Sequence, residues 1–215
     1  MNAAEFVPRS GQLARLRAAA AGCRGCELYA DATQTVFGQG TRQADIMLVG
    51  EQPGDQEDRA GQPFVGPAGR LLDEALAAGG LDRTRLYVTN AVKHFRWKST
   101  GAGKRRLHDK PDARHVAACR PWLTAELHSV APRAVVALGA TAAQALFGPR
   151  FRLTQHRGEA LPWPPADGPY ADSDLAVELA AATVHPSAVL RAGDARAEMF
   201  DGLVADLRHV GRALA

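Results

Sequence analysis

No stretch of this 215-residue sequence approaches the roughly 18 consecutive apolar residues of a membrane span. The N-terminus, MNAAEFVPRSGQLARL, lacks a charged head followed by an apolar stretch and a small-residue cleavage site. Neither a membrane span nor a secretory signal is therefore expected, and a cytoplasmic location is. Three cysteines are an odd number and do not make a disulfide framework. Lysine is scarce as well: arginine far outnumbers it in an alanine-rich chain, a bias that a GC-rich genome also produces. The net charge of +3 and pI near 9.0 suit a nucleic-acid partner without establishing one. Where the basic residues lie therefore carries more than their total.

With 46 % hydrophobic and 23 % charged residues, the chain is long enough to bury one sizeable core. A single domain over residues 1–215, monomeric, is expected. Residues 11–21 (GQLARLRAAAA) carry a helical apolar stripe, and ADIMLVG (44–50) reads as a short buried strand. A loop, EQPGDQEDRAGQPFVGP, leads to the helix AGRLLDEALAAGG, which ends on glycines. Further strands are predicted in RLYVTN (85–90), RAVVALG (133–139) and LAAATVHP (179–186), with an edge strand near RGEAL. Helices are predicted at about 113–130, in ATAAQALFG and near 195–213. Strands alternating with helices imply a mainly parallel sheet covered on both faces. Ligands in such folds bind at the carboxyl ends of the strands. That rule selects GEQPGD, TNAVKH and VHPS.

Two cysteines form Cys23-Arg-Gly-Cys26, just after the first helical stripe. A thioredoxin-like pair follows a strand and opens a helix; here the helix comes first, so metal ligation is the better reading. Cys119 lies in the helical pattern HVAACRPWLTAEL. Three thiolates need a fourth ligand, and His94 in YVTNAVKHF is the candidate, since imidazole replaces thiolate on iron as on zinc. Spacing alone does not choose between those metals.

GEQPGDQED with GQPFVGPAGRLL, then YVTNAVKH, then HPS resemble, in order, the motifs of the uracil-DNA glycosylase superfamily in its iron-sulfur, family 4-like branch. The resemblance runs from CRGC to HPSAVLR. It implies a three-layer αβα sandwich around a mostly parallel four-stranded sheet, a 4Fe-4S cluster held by Cys23, Cys26, His94 and Cys119, and uracil-containing DNA, single-stranded or duplex, as partner. Two departures from the family 4 pattern stand out: His94 occupies the place of a cysteine, and an insertion bearing KRRLH precedes Cys119. Both resemble the UdgX subgroup, which becomes covalently trapped on uracil-containing DNA through the histidine of that loop.

The chemistry is compatible with this resemblance. A glycosylase must extrude its base or act on a single strand, then hold the base in a tight pocket. Gly50 and Gly54 remove side-chain bulk where backbone approaches the flipped nucleotide, and Gln52 belongs to the same uracil-binding stretch. The resemblance places Phe64 on the uracil face and Asn90 at its polar edge. One amide orientation satisfies uracil N3–H and O4, whereas cytosine presents the reverse pattern. His185 is placed to donate to the negative charge developing on uracil O2. Glu51 stabilises the cationic sugar or takes a proton from the attacking nucleophile. Asp55 is expected to help the same pocket, and Glu57 and Asp58 to belong to a solvated acidic loop.

In GKRRLHDKP, Lys104, Arg105, Arg106 and Lys110 are the residue types that meet phosphates. A neutral His108 keeps a nitrogen lone pair and is a competent nucleophile. Held at the sugar C1′ where a hydrolytic water would stand, it captures the sugar and leaves a stable carbon–nitrogen bond. Ser187, Leu190 and Arg191 resemble the segment that touches phosphate and wedges into the base stack. His156 has no assigned role, and His115, His128 and His209 are expected at the surface. Two alternatives remain: a hydrolytic glycosylase that uses KRRLH as a DNA clamp, and a non-enzymatic nucleic-acid binder with a Cys3His zinc site.

Overall fold

The structure is a computed structural model and describes residues 2–9, 12–99 and 106–215. Seven strands occur among them: β1 (Gln39–Gly40), β2 (Ile46–Gly50), β3 (Leu86–Asn90), β4 (Trp97–Ser99), β5 (Arg106–His108), β6 (Ala134–Leu138) and β7 (Leu179–Thr183). The α-helices are α1 (Leu13–Ala20), α2 (Asp55–Ala60), α3 (Pro67–Gly79), α4 (Ala113–Val130), α5 (Ala140–Phe147), α6 (Leu153–His156), α7 (Pro186–Leu190) and α8 (Arg196–Ala213). None is long and apolar enough to cross a membrane.

The main sheet has the order β1-β3-β2-β6-β7. Its four longer strands are parallel, as expected, and the two-residue β1 adds an antiparallel edge that the sequence did not announce. The edge strand expected near RGEAL is reduced to one bridge, Leu161 to Ala180.

All four parallel strands are buried from end to end, because successive side chains enter different cores. Met47, Val49, Val135 and Ala137 face the helices α1, α4 and α5. Ile46, Leu48, Ala134 and Val136 face α3, α7 and α8. This is the predicted three-layer sandwich.

Chain direction across the sheet reverses at β2: β3 lies on one side of it and β6 on the other. Such a reversal opens a crevice at the carboxyl ends of the strands. A second sheet, the hairpin β4–β5, stands beside that crevice and pairs Trp97 with His108 and Ser99 with Arg106.

Candidate active site

Each parallel strand delivers one group to a common cavity of about 710 Å³. Glu51 follows β2, Asn90 ends β3, Thr141 follows β6 and His185 follows β7; Phe64 and His108 complete the walls.

Gly50 and Gly54 leave room for the protein's own side chains. A Cβ on Gly50 would run into Asn90 Oδ1 and come within 2.6 Å of the Phe64 ring. The space it vacates is taken by the protein's own uracil-facing candidates. A Cβ on Gly54 would meet Glu57 Oε2 at 2.6 Å. Phe64 adopts φ 56°, a region that costs a non-glycine residue about 1–3 kcal/mol. The strained backbone sets its ring 6.0 Å from the His185 imidazole, with 27° between the planes. Asn90 is 2 % exposed, and no hydrogen bond to its side-chain amide occurs among the described residues. An unpaired amide in a buried wall is open to a ligand.

The hydrogen bonds of His185 define its tautomer. Its Nδ1 accepts from the Ser187 backbone N–H at 3.1 Å and lies 2.8 Å from Ser187 Oγ. Burial pushes the imidazole down to about 4, with Glu51 opposing, so the neutral ring carries its proton on Nε2. Ser187 thus orients His185 in addition to lining the cavity.

Burial pushes the Glu51 carboxyl up, but hydrogen bonding and charge from His108, Thr141 and His185 outweigh it and leave the group below its ordinary range. Thr141 donates to Glu51 Oε2, while His108 Nε2 stands 3.3 Å from Oε1. Sequence reasoning missed Thr141, although the strand-end rule that selected the other three positions applies equally after β6.

Gln52 lines the cavity, yet its side-chain amide is spent on the hairpin base. It donates to the carbonyls of Arg96 and Asp109 and accepts from the Arg96 N–H at 3.1 Å. A side-chain contact to uracil is therefore not available from it.

Arg106 also departs from expectation. It does not lie free for phosphate: it donates to Asp55 and Asp58, each at 2.6 Å, between the rings of Phe95 and Trp97. Asp55 consequently serves this ion pair and Arg59 and does not line the cavity. Glu57 and Asp58 are buried, contrary to the solvated loop expected. Glu57 accepts the N–H groups of Gly54 and Gly66, and Asp58 also accepts that of Thr33.

Lys110 and Arg191 remain at the cavity and are exposed. Leu190 is partly buried and packs against the α3–α8 core. Lys104 and Arg105 lie outside the described residues.

Cys23, Cys26 and Cys119 are all buried, and Cys119 lies within electrostatic reach of the other two. Cys119 Sγ accepts the Lys93 N–H at 3.3 Å and Cys23 Sγ accepts Trp122 Nε1–H at 3.2 Å. Amide and indole donors aimed at sulfur suit thiolates. Among the described residues no three His, Cys, Asp or Glu side chains converge as a site for one metal ion. A cluster makes a different demand, since its ligands bind separate irons around a larger body.

His94 is buried, and its Nε2 lies 2.9 Å from Thr35 Oγ1. Thr35 spends its own hydroxyl proton on the Ala20 carbonyl, so it accepts from His94. Burial, opposed by Asp58, pushes His94 down to about 4. The neutral ring therefore keeps its lone pair on Nδ1, the form a ligand needs.

His115 is 3 % exposed, against the surface position expected. Its Nδ1 accepts the Asp112 N–H and its Nε2 reaches Glu27 at 2.9 Å, tying the residue after Cys26 to α4. His128 and His209 are exposed as expected. His156 pairs with Glu159.

A family model described as the uracil DNA glycosylase superfamily matches residues 37–208. The Type-4 uracil-DNA glycosylase of Thermotoga maritima is 34 % identical over 170 residues, covering 79 % of this chain and 78 % of that protein. The protein of the same description from Pyrobaculum aerophilum is 35 % identical over 179 residues, covering 82 % and 83 %. That from Sulfurisphaera tokodaii is 32 % identical over 173 residues, covering 78 % and 71 %.

Proposed function

Because the chain belongs to the uracil-DNA glycosylase superfamily, we propose that it excises uracil from DNA and then bonds itself to the sugar through His108. The observation that carries the second half is the position of His108: its Nε2 faces Glu51 Oε1 at 3.3 Å, on a paired strand at the mouth of the cavity.

The uracil ring stacks on Phe64, and the open amide of Asn90 pairs with N3–H and O4. Cytosine would set donor against donor and acceptor against acceptor. The neutral His185 donates Nε2–H to uracil O2 as negative charge grows there; a donor so placed contributes about 10²–10³ in rate. Glu51, held ionised, offsets the positive charge on the sugar. The C1′–N1 bond breaks with its electron pair leaving on uracil. Glu51 Oε1 accepts the Nε2 proton of His108 as that nitrogen bonds to C1′, leaving a neutral substituted imidazole, and the departing uracil N1 takes up a proton as Glu51 gives one back. Imidazole is a poor leaving group, so the adduct persists. Lys110, Ser187 and Arg191 line the cavity and would meet the strand's phosphates.

Cys23, Cys26, Cys119 and the Nδ1 of His94 would hold a 4Fe-4S cluster. Bound there, it would tie the N-terminal segment to the end of β3 and to α4, a structural role.

Denaturing electrophoresis tests the proposal. Purified protein is mixed with a labelled uracil-containing oligonucleotide, boiled in detergent and run beside a His108→Ala variant. A slow band given by the parent chain and absent from the variant is the expected result. Free abasic product accumulating over many turnovers, with no slow band, would return the protein to the hydrolytic glycosylases.

A further inference from the structure

Thr141 lies one residue into α5, directly after the turn at Gly139. That glycine has φ +93°, and a Cβ on it would meet His185 Cβ at 2.9 Å. The turn thus brings the start of α5 against His185 and carries the Thr141 hydroxyl, itself 7 % exposed, to Glu51 Oε2. The carboxylate is therefore divided: Oε2 is taken by Thr141, while Oε1 faces His108.

We propose that Thr141 is a positioning residue that fixes Glu51 so that one oxygen is reserved for the sugar and its attacking nucleophile. The inference rests on the uracil-excising reading for its kinetic consequences, but the hydrogen bond itself is independent of that reading.

The argument is geometric. A carboxylate held at one oxygen cannot rotate freely about its last torsion. Released, it can rotate until neither oxygen is held where His108 and the sugar meet. The groups facing Glu51 come from three elements: His108 on β5, Thr141 on α5 and His185 after β7. Lys110 and Arg191 line the same cavity. Among these, Thr141 supplies an uncharged donor, whose contribution survives at any pH at which the fold survives. Its hydrogen bond favours the ionised carboxylate, so its loss raises the Glu51 pKa.

Thr141→Val keeps the shape and removes the donor, and Thr141→Ser keeps the donor. Uracil release and adduct formation are measured in single turnovers across pH 5–8, beside the thermal midpoint of each variant. Thr141→Val should slow both steps by about tenfold or more at neutral pH, the effect of losing one hydrogen bond to a charged group. The acid limb of its rate profile should move to higher pH, and Thr141→Ser should restore limb and rate. A purely structural role would lower the midpoint and leave the limb in place.

The Glu51 carboxyl carbon, followed by 13C NMR in the DNA-free protein, reads the same shift without turnover. An unchanged Glu51 titration in Thr141→Val overturns the inference, whatever the chain does to DNA. A parent chain that releases no uracil, with the titration shifted as expected, would overturn the functional reading and leave the Thr141 contact standing.

Discussion

Arg106 binds Asp58 at 2.6 Å only two residues ahead of His108 on the same strand. Residues two apart in a strand share a face, so the anchor and the imidazole are presented together. Asp55 and Thr33 take further guanidinium bonds, Gln52 fastens the base of the hairpin, and Asp109 N–H donates to the Arg96 carbonyl. The basic insertion therefore holds His108 at the cavity through its own arginine.

Arg106→Met should remove that hold. Asp58 is fully buried, and a buried carboxylate deprived of its partner costs about 3–5 kcal/mol. The denaturation midpoint should fall, and adduct formation should fall further than uracil release does. Adding Asp58→Asn should recover much of the stability but little of the adduct. Equal recovery of both would mean that Arg106 stabilises the fold without placing His108.

The buried pair Lys93–Glu126 braces the end of β3, where Asn90 enters the cavity wall. Both side chains are fully buried at 2.5 Å, and the Lys93 ammonium also donates to Thr89 Oγ1 and to the Asn90 carbonyl. Glu126 accepts from Gly38 N–H and Tyr87 O–H as well. Lys93→Met should destabilise by about 3–5 kcal/mol in denaturant unfolding. Lys93→Met with Glu126→Gln, which removes the stranded charge and keeps an acceptor, should regain more than half of that loss. No regain would place the energy in the lost lysine contacts and not in the stranded charge.

The four parallel strands were legible as short, nearly continuous apolar runs, and the long helices by apolar residues that repeat with the helical period. The segment DQEDRA was not. It has no apolar stripe, and its charges are satisfied by Arg106 and by the N–H groups of Thr33 and Gly66. Those partners are distant in sequence, so a local reading makes it a solvated loop. The same cause hid the roles of Arg106 and His115. An arginine in a basic run looks ready for phosphate until its carboxylates appear, and a histidine in a helix looks exposed until Asp112 and Glu27 close on it. Thr141 sat in the apolar string ATAAQALF, where one hydroxyl has no periodicity to mark it. Glu51, Phe64, Asn90, His108 and His185 line one cavity; family motifs pointed to all five, and strand ends also to Glu51, Asn90 and His185.

On the proposed cluster ligation, His94→Ala should lower the iron content of the purified protein and bleach its visible absorption. Thr35→Val should do the same more mildly, because Thr35 holds the His94 proton on Nε2 and outer partners of this kind are worth about 10–100-fold in metal affinity. Iron analysis with the absorption spectrum reads both. A full complement of iron in His94→Ala would remove His94 from the ligand set.

The burial of His185 makes stability depend on pH in a direction that can be checked. Its folded value is pushed down to about 4, below the roughly 6.5 of an unfolded histidine. Above pH 6.5 both states are neutral and its contribution to stability is fully present. Between about 6.5 and 4 the unfolded chain takes up a proton that the folded one refuses, so stability falls as pH falls. Below about 4 both are protonated and the loss from this group levels off. Denaturant unfolding at pH 7 and pH 5 should therefore show a larger drop for the parent chain than for His185→Gln, which has nothing to titrate. Equal drops would mean that the imidazole is already charged in the native state. In that case His185 would meet uracil O2 as a cation, and the neutral-donor step would have to be abandoned.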